Sequence, residues 1–314
     1  MRHSNILRSS QNSIISNDEC SNSKIEGKPF TQQKCSDNTS SHSFTHCSWN
    51  NNGLTSNGGA IHLRCDSSQP LISLTVDDCT FLHCYETNGV GGGGVYAENI
   101  GSAVVTNSFF SDCQCAQNTT GPEGAGVLLD FINTLPSIKC CDFVSCITGD
   151  DGGGCGIWYS HSSITYAVDS CNYIKCKGTK PADSEGAGVI LHANSDFLTC
   201  TNCLFYACDA PFNGGGVSLS FPSGASLQPL TFCFFRENLS QGFRDVYLRQ
   251  FPSSPPAIAY SFSCEYESGK VGGGEDDWLP QSTLCYDSTK ENKRNNLLNT
   301  NNIKKHERRL PSFH

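Results

Sequence analysis

Apolar residues in this chain alternate in short runs. Ile61-x-Leu63, Val127-x-Leu129-x-Phe131, Ile157-x-Tyr159, Val189-x-Leu191 and Val217-x-Leu219-x-Phe221 all show it. A period of two means a strand with one buried face. A second short apolar stretch follows each run, as in Ile72-x-Leu74-x-Val76 and Ile164-x-Tyr166-x-Val168. A third, Cys-x-aromatic, alternates again. Apolar residues at i, i+3, i+4 and i+7 do not recur, so helical repeats are disfavoured. Three short strands in each ~30 residues predict one coil of a β-solenoid.

Two motifs keep this period. Glycine runs end in Ile or Val: Gly58-Gly59-Ala60-Ile61, Gly92-Gly93-Gly94-Val95, Gly124-Ala125-Gly126-Val127, Gly154-Cys155-Gly156-Ile157, Gly186-Ala187-Gly188-Val189 and Gly214-Gly215-Gly216-Val217. Between them stands aromatic-x-x-Cys, at Phe44/Cys47, Phe81/Cys84, Phe110/Cys113, Phe143/Cys146, Tyr173/Cys176 and Phe205/Cys208. Phe235/Asn238 continues the series with Asn in the last place. Two residues before the aromatic lie Cys79, Cys141, Cys171, Cys203 and Cys233, with His42 and Ser108 as exceptions. Stacked coils lie about 4.8 Å apart, so these positions become columns. With Cys264 they hold 12 of the 20 cysteines. Small buried hydrophobes filling a corner are the first reading of them, and disulfides between rungs the second.

Composition narrows the class. Charged residues are 16 % and hydrophobic residues 37 % of 314, which excludes a wholly disordered chain. The 30 glycines belong to the coil turns. Net charge is −9, with seven Lys/Arg against three Asp/Glu from Asp287 to His314. An acidic body disfavours nucleic acid as a partner. The Asn- and Lys-rich end reads as a disordered basic tail. No transmembrane span and no signal-peptide pattern is read. Three Asn-x-Ser/Thr sequons, at Asn38, Asn118 and Asn238, are compatible with secretion. Cys200 and Cys203 form the only CxxC, and His42/His46 lie far upstream, so no zinc site or other metal site is expected. No cofactor is expected either.

Gly58-Gly59-Ala60-Ile61 matches the GGA[ILV] motif, and Phe235-Arg236-Glu237-Asn238 the FxxN motif, of chlamydial polymorphic outer-membrane proteins. The chain resembles these repeats over about residues 40 to 270, and is similar to Cys-rich surface proteins of protists. The wider resemblance is to the right-handed parallel β-helix, or pectin-lyase-like, superfamily. Here Cys mostly stands where the motif has Asn. The resemblance implies an adhesin or surface-exposed protein rather than an enzyme.

The superfamily also hosts polysaccharide lyases and glycoside hydrolases, whose sites lie on the outer face of one parallel sheet. If Ile61 and its equivalents point inward, one outward row is His62, Tyr96, Leu128, Trp158, Ile190 and Ser218. Beside it runs Arg64, Glu98, Asp130, Ser160, His192 and Ser220. Glu98 and Asp130 then lie on adjacent rungs, roughly 5 Å apart. That separation suits the acid and nucleophile of a retaining glycosidase. Arg64 and His192 would flank them, and Tyr96 and Trp158 would stack on sugar rings. A register error would end the idea. Asp77-Asp78 and Asp150-Asp151 read as turns, since no Gly-His-Gly or Arg-x-Lys accompanies them. Glu123 and Glu185 each precede a glycine motif, two coils apart, too far to share an ion.

The sequence thus predicts an all-β, right-handed parallel β-helix of about seven coils over 36–285, a polar cap over 1–35 and a basic tail over 286–314. Its expected role is binding of a protein or glycan ligand at the surface or outside the cell. Loops Gln114 to Glu123 and Lys177 to Glu185 are candidates for contact. The alternatives are a carbohydrate-active enzyme using Glu98 and Asp130, and a piece of a larger surface protein.

Overall fold

A computed structural model describes residues 20–21, 24–26, 30–32, 41–51, 53–54, 58–65, 72–87, 91–115, 124–149, 152–158, 166–180, 185–192, 198–221, 226–241, 245–250, 258–262, 265–266 and 271–273. These form a parallel β-solenoid. Three parallel sheets of nine strands run its length. The glycine-led sheet contains 61–64, 95–98, 127–130, 155–158, 189–192, 217–221 and 246–250. The middle sheet contains 41–45, 73–77, 102–106, 135–139, 166–169, 198–201 and 226–231. The aromatic sheet contains 48–50, 80–82, 109–111, 142–144, 172–174, 204–206 and 234–236. Earlier strands at 20–21, 24–26 and 30–32 add a first rung, so the segment expected as a cap already contributes to the ladder. The strand count differs from the seven coils read from the motifs. The tail at 286–314 lies outside the described residues.

The core is built of columns. Trp49, Phe81, Phe110, Phe143, Tyr173, Phe205 and Phe235 stack face to face, with centroids 4.5–4.9 Å apart and planes within 9°. Isolated ring pairs favour offset or edge-on contact. Here strand register fixes the rings one above another. The glycine before the inward Val or Cys of most coils explains why the two motifs share a phase. A Cβ on Gly126 would lie 2.6 Å from Phe143 Cδ1, and one on Gly154 would lie 2.5 Å from Tyr173 Cδ1. The missing side chain makes room for the ring edge of the same coil.

Each sheet ends at a corner whose residue is left-handed, as at Asp78 (φ 50°), Cys140 (φ 54°), Lys175 (φ 55°) and Phe232 (φ 53°). The column residue follows it, and its side chain returns to the backbone. Cys141 Sγ donates to Lys139 O at 3.2 Å and to Val105 O of the preceding coil at 3.6 Å. Asn238 does the same with stronger groups. Its Nδ2 donates to Phe205 O at 3.1 Å, and its Oδ1 accepts from Cys208 N at 3.0 Å. Ser108 Oγ donates to Thr106 O and accepts from Cys79 N. Cys in place of Asn therefore keeps the pattern of bonds while weakening each one.

Two registers differ from those read in the sequence. Trp49, not Phe44, heads the aromatic column, and Phe44 instead pairs with Val76 in the middle sheet. Cys47 therefore joins the column of Cys79, and His42 lies beside Leu74. In the fourth coil Cys155 pairs with Val127 and Val189, so the glycine motif there is Gly152-Gly153-Gly154-Cys155. Cys155 serves as the small inward hydrophobe, with its sulfur 3.1 Å from the Tyr173 hydroxyl. The slip in the fourth coil is of two residues and conserves the inward and outward parity, so alternation alone does not detect it; the first spans five residues and crosses the left-handed corner at His46.

Among the described residues fourteen buried cysteines and the exposed Cys140 are not in disulfides. Cys65 is disulfide-bonded.

Candidate functional site

The outer face of the glycine-led sheet carries the residues singled out for chemistry. Strand pairing places Glu98 directly beside Asp130 on one side and Arg64 on the other. The slip in the fourth coil moves Trp158 from the row of Tyr96 to the row of Asp130, with Gly156 taking its former place. The row therefore runs Arg64, Glu98, Asp130, Trp158, His192, Ser220. Ser160 lies outside the described residues.

This face is packed rather than open. Tyr96, Leu128, Trp158 and Ile190 form a second apolar cluster, separate from the core. Tyr96 is 1 % exposed and Trp158 8 %, so neither presents a ring for sugar stacking in this arrangement. His62 lies edge-on to Tyr96 with centroids 5.2 Å apart. His192 lies 4.5 Å from Trp158. Ser218 is buried and donates to Glu185 at 3.1 Å.

Within this packing sits a charged group. Arg64 Nε is 3.3 Å from Glu98 Oε2, and the Tyr96 hydroxyl donates to the same oxygen at 2.5 Å. Asn99 Nδ2 donates to Glu98 Oε1 at 3.3 Å. Asp130 is 5 % exposed and its Oδ1 has no hydrogen-bond partner. Burial, then repulsion from Glu98, pushes the Asp130 carboxyl up to about 7, against smaller opposing effects of the Phe131 N–H and Arg64. Burial and the Glu98 bond likewise push the Tyr96 phenol well up. Two neighbouring carboxyl groups are thus differentiated, one tied to a cation and one disposed to hold a proton. Neither residue type nor spacing announces the Tyr96 hydroxyl as a partner of Glu98; the alternation places it on the same face, and only the side-chain geometry shows the bond.

The remaining candidates have local roles. Asp77 accepts from Thr106 at 2.7 Å and Asn107 at 2.8 Å, which hold its carboxyl below the usual value. Asp78 occupies a left-handed corner and meets His46 at 2.6 Å. Asp150, Asp151, residues 116–123 of the first candidate loop (Glu123 among them) and residues 181–184 of the second lie outside the described residues. Among the described residues no group of His, Cys, Asp or Glu is arranged to hold a metal ion. No described helix is long and apolar enough to cross a membrane, which says nothing of a β-barrel. No family model, curated protein or solved structure matches the chain.

Proposed function

We propose that this chain is a non-catalytic binding scaffold of a cell surface or the extracellular space, which presents a protein or glycan ligand with loops along a rigid ladder. The carrying observation is that the row best suited to catalysis is spent on internal contacts. Glu98 is held by Arg64, Tyr96 and Asn99, and the aromatic residues beside it are packed together. Solenoids bind through surface loops of varied length on an invariant ladder. The motifs at Gly58–Ile61 and Phe235–Asn238 support the surface reading by resemblance, and the Cys65 disulfide supports an oxidising compartment. Asn238 adds nothing to it: its amide is buried and bonded on both sides, so that sequon is no glycan acceptor in the folded chain.

One observation favours a second reading, a carbohydrate-active enzyme. Asp130, with its carboxyl pushed to about 7, stands beside Glu98 as a general acid stands beside a nucleophile. A panel of acidic and neutral polysaccharides, assayed for new reducing ends and unsaturated products, separates the two. The scaffold reading expects no product from the full chain, and ligand capture on a glycan or protein array that survives Glu98→Ala. Product formation that disappears in both Glu98→Gln and Asp130→Asn would establish the enzyme instead.

A further inference from the structure

Three thiols meet in the C-terminal part of the ladder. Cys200 occupies an inward position of the middle sheet that the other coils fill with hydrocarbon: Val76, Val105, Ile138 and Val168 before it, and Leu230 after it. Cys203 and Cys233 are consecutive members of the corner column, just before the paired residues Leu204 and Phe234. Cys200 Sγ lies 4.0 Å from Cys233 Sγ, and the Cys233 thiol also donates to the Cys200 carbonyl at 3.3 Å. All three are fully buried and unbridged.

We propose that Cys200 and Cys233 form a redox-dependent staple between two consecutive coils. A small peroxide is the oxidant. One sulfur takes an oxygen from the peroxide and becomes a sulfenic acid, with release of one water. The second sulfur displaces that hydroxyl, its proton leaves with the hydroxyl as a second water, and the S–S bond forms. Two thiols and one peroxide thus give one disulfide and two waters. The sulfurs must close to about 2.05 Å, a movement of roughly 2 Å. Substitution of a thiol into a hydrocarbon column is what brings this pair together, because the corner column alone stacks its members at the rung spacing of about 4.8 Å.

The bond would join residues 33 apart, which is one coil. Opening of that coil away from its neighbour would then be suppressed, since a crosslink restricts the opened ensemble. Burial slows the reaction, because oxidation follows access, and access here requires local opening. Oxidation therefore stabilises the coil once it has been breached.

The full chain, treated with hydrogen peroxide at increasing sub-denaturing urea, tests this. Digestion without reduction is expected to yield a peptide pair joined through Cys200 and Cys233, lighter by two hydrogens. The thermal midpoint rises with its yield and returns on reduction. Cys200→Val, which restores the residue type of the neighbouring coils, keeps the fold and loses both effects, whereas Cys203→Ser keeps both. Linkage mapped to Cys200–Cys203 or Cys171–Cys203 overturns the proposal. So does the absence of any Cys200 linkage under conditions that oxidise the exposed Cys140.

Discussion

Asp130 is the residue at which burial and charge disagree most openly. Its carboxyl titrates near 7 in the fold against an ordinary 3.8, chiefly through burial and then through Glu98. The folded chain therefore binds a proton between these values that the unfolded chain has released. Stability from this group is fully present below about pH 4 and falls as pH rises toward 7, by up to about 4 kcal/mol. Asp77 and Asp169 act with the opposite sign. Hydrogen bonds from Thr106 and Asn107 lower the first; for the second, burial opposes but Asn202, Thr201 and Ser170 prevail. Their contribution is lost as pH falls through the folded values. Asp130→Asn isolates the one group: it should leave urea stability near pH 4 little changed and raise it at pH 8 by about 1–4 kcal/mol. An equal effect at both pH values would refute burial as the cause. The Glu98–Asp130 adjacency was legible in the sequence, because equal steps from the glycine motif keep both on one row. The burial of that row was not. Alternation distinguishes inward from outward, but it carries no information on what packs against the outward side.

At the scale of the coil, the glycine and aromatic motifs are two halves of one contact. Gly126 abuts Phe143, and its Cβ would also meet the Gly154 carbonyl oxygen at 2.6 Å. Gly126→Ala should cost about 1–3 kcal/mol through overpacking. Phe143→Leu should cost about 1 kcal/mol or more alone, yet recover part of the loss in the double variant, since the smaller side chain vacates the ring edge. Strict additivity in a urea double-mutant cycle would show that the two do not share a contact. Ala60 fills the equivalent place in the coil of Phe81, so the cost is strain, not exclusion. The shared phase of the two motifs makes these columns legible in the sequence. The register of the fourth coil escaped because Gly154 and Gly156 lie two apart, and a two-residue slip preserves every face. The left-handed corners escaped because Lys175, Ala207 and Phe232 are poor formers of that conformation. Column packing on both sides imposes it on them.

A solenoid is held together by neighbour contacts alone, so its whole-molecule stability is a profile along an axis. Each inner coil is paired on two sides and each terminal coil on one. The fourteen buried thiols are spaced along that axis from Cys47 to Cys233 and report the profile directly. Burial pushes the Cys113 and Cys176 thiols up as well as covering them, which disfavours the reactive thiolate in the closed ladder. With an alkylating reagent under native conditions, Cys140 should react first, as the exposed thiol. Cys47 and Cys233, nearest the two ends among the described buried cysteines, should follow. Cys113, Cys141 and Cys146 in the middle coils should be slowest, by a factor of about 10 for each 1.4 kcal/mol of added opening cost. Peptide-resolved mass spectrometry over time reads each rate. A single common rate for the fourteen would mean that the ladder opens only as a whole. In that case the coils behave as one cooperative unit, and a crosslink between two of them would protect the entire chain rather than its C-terminal end.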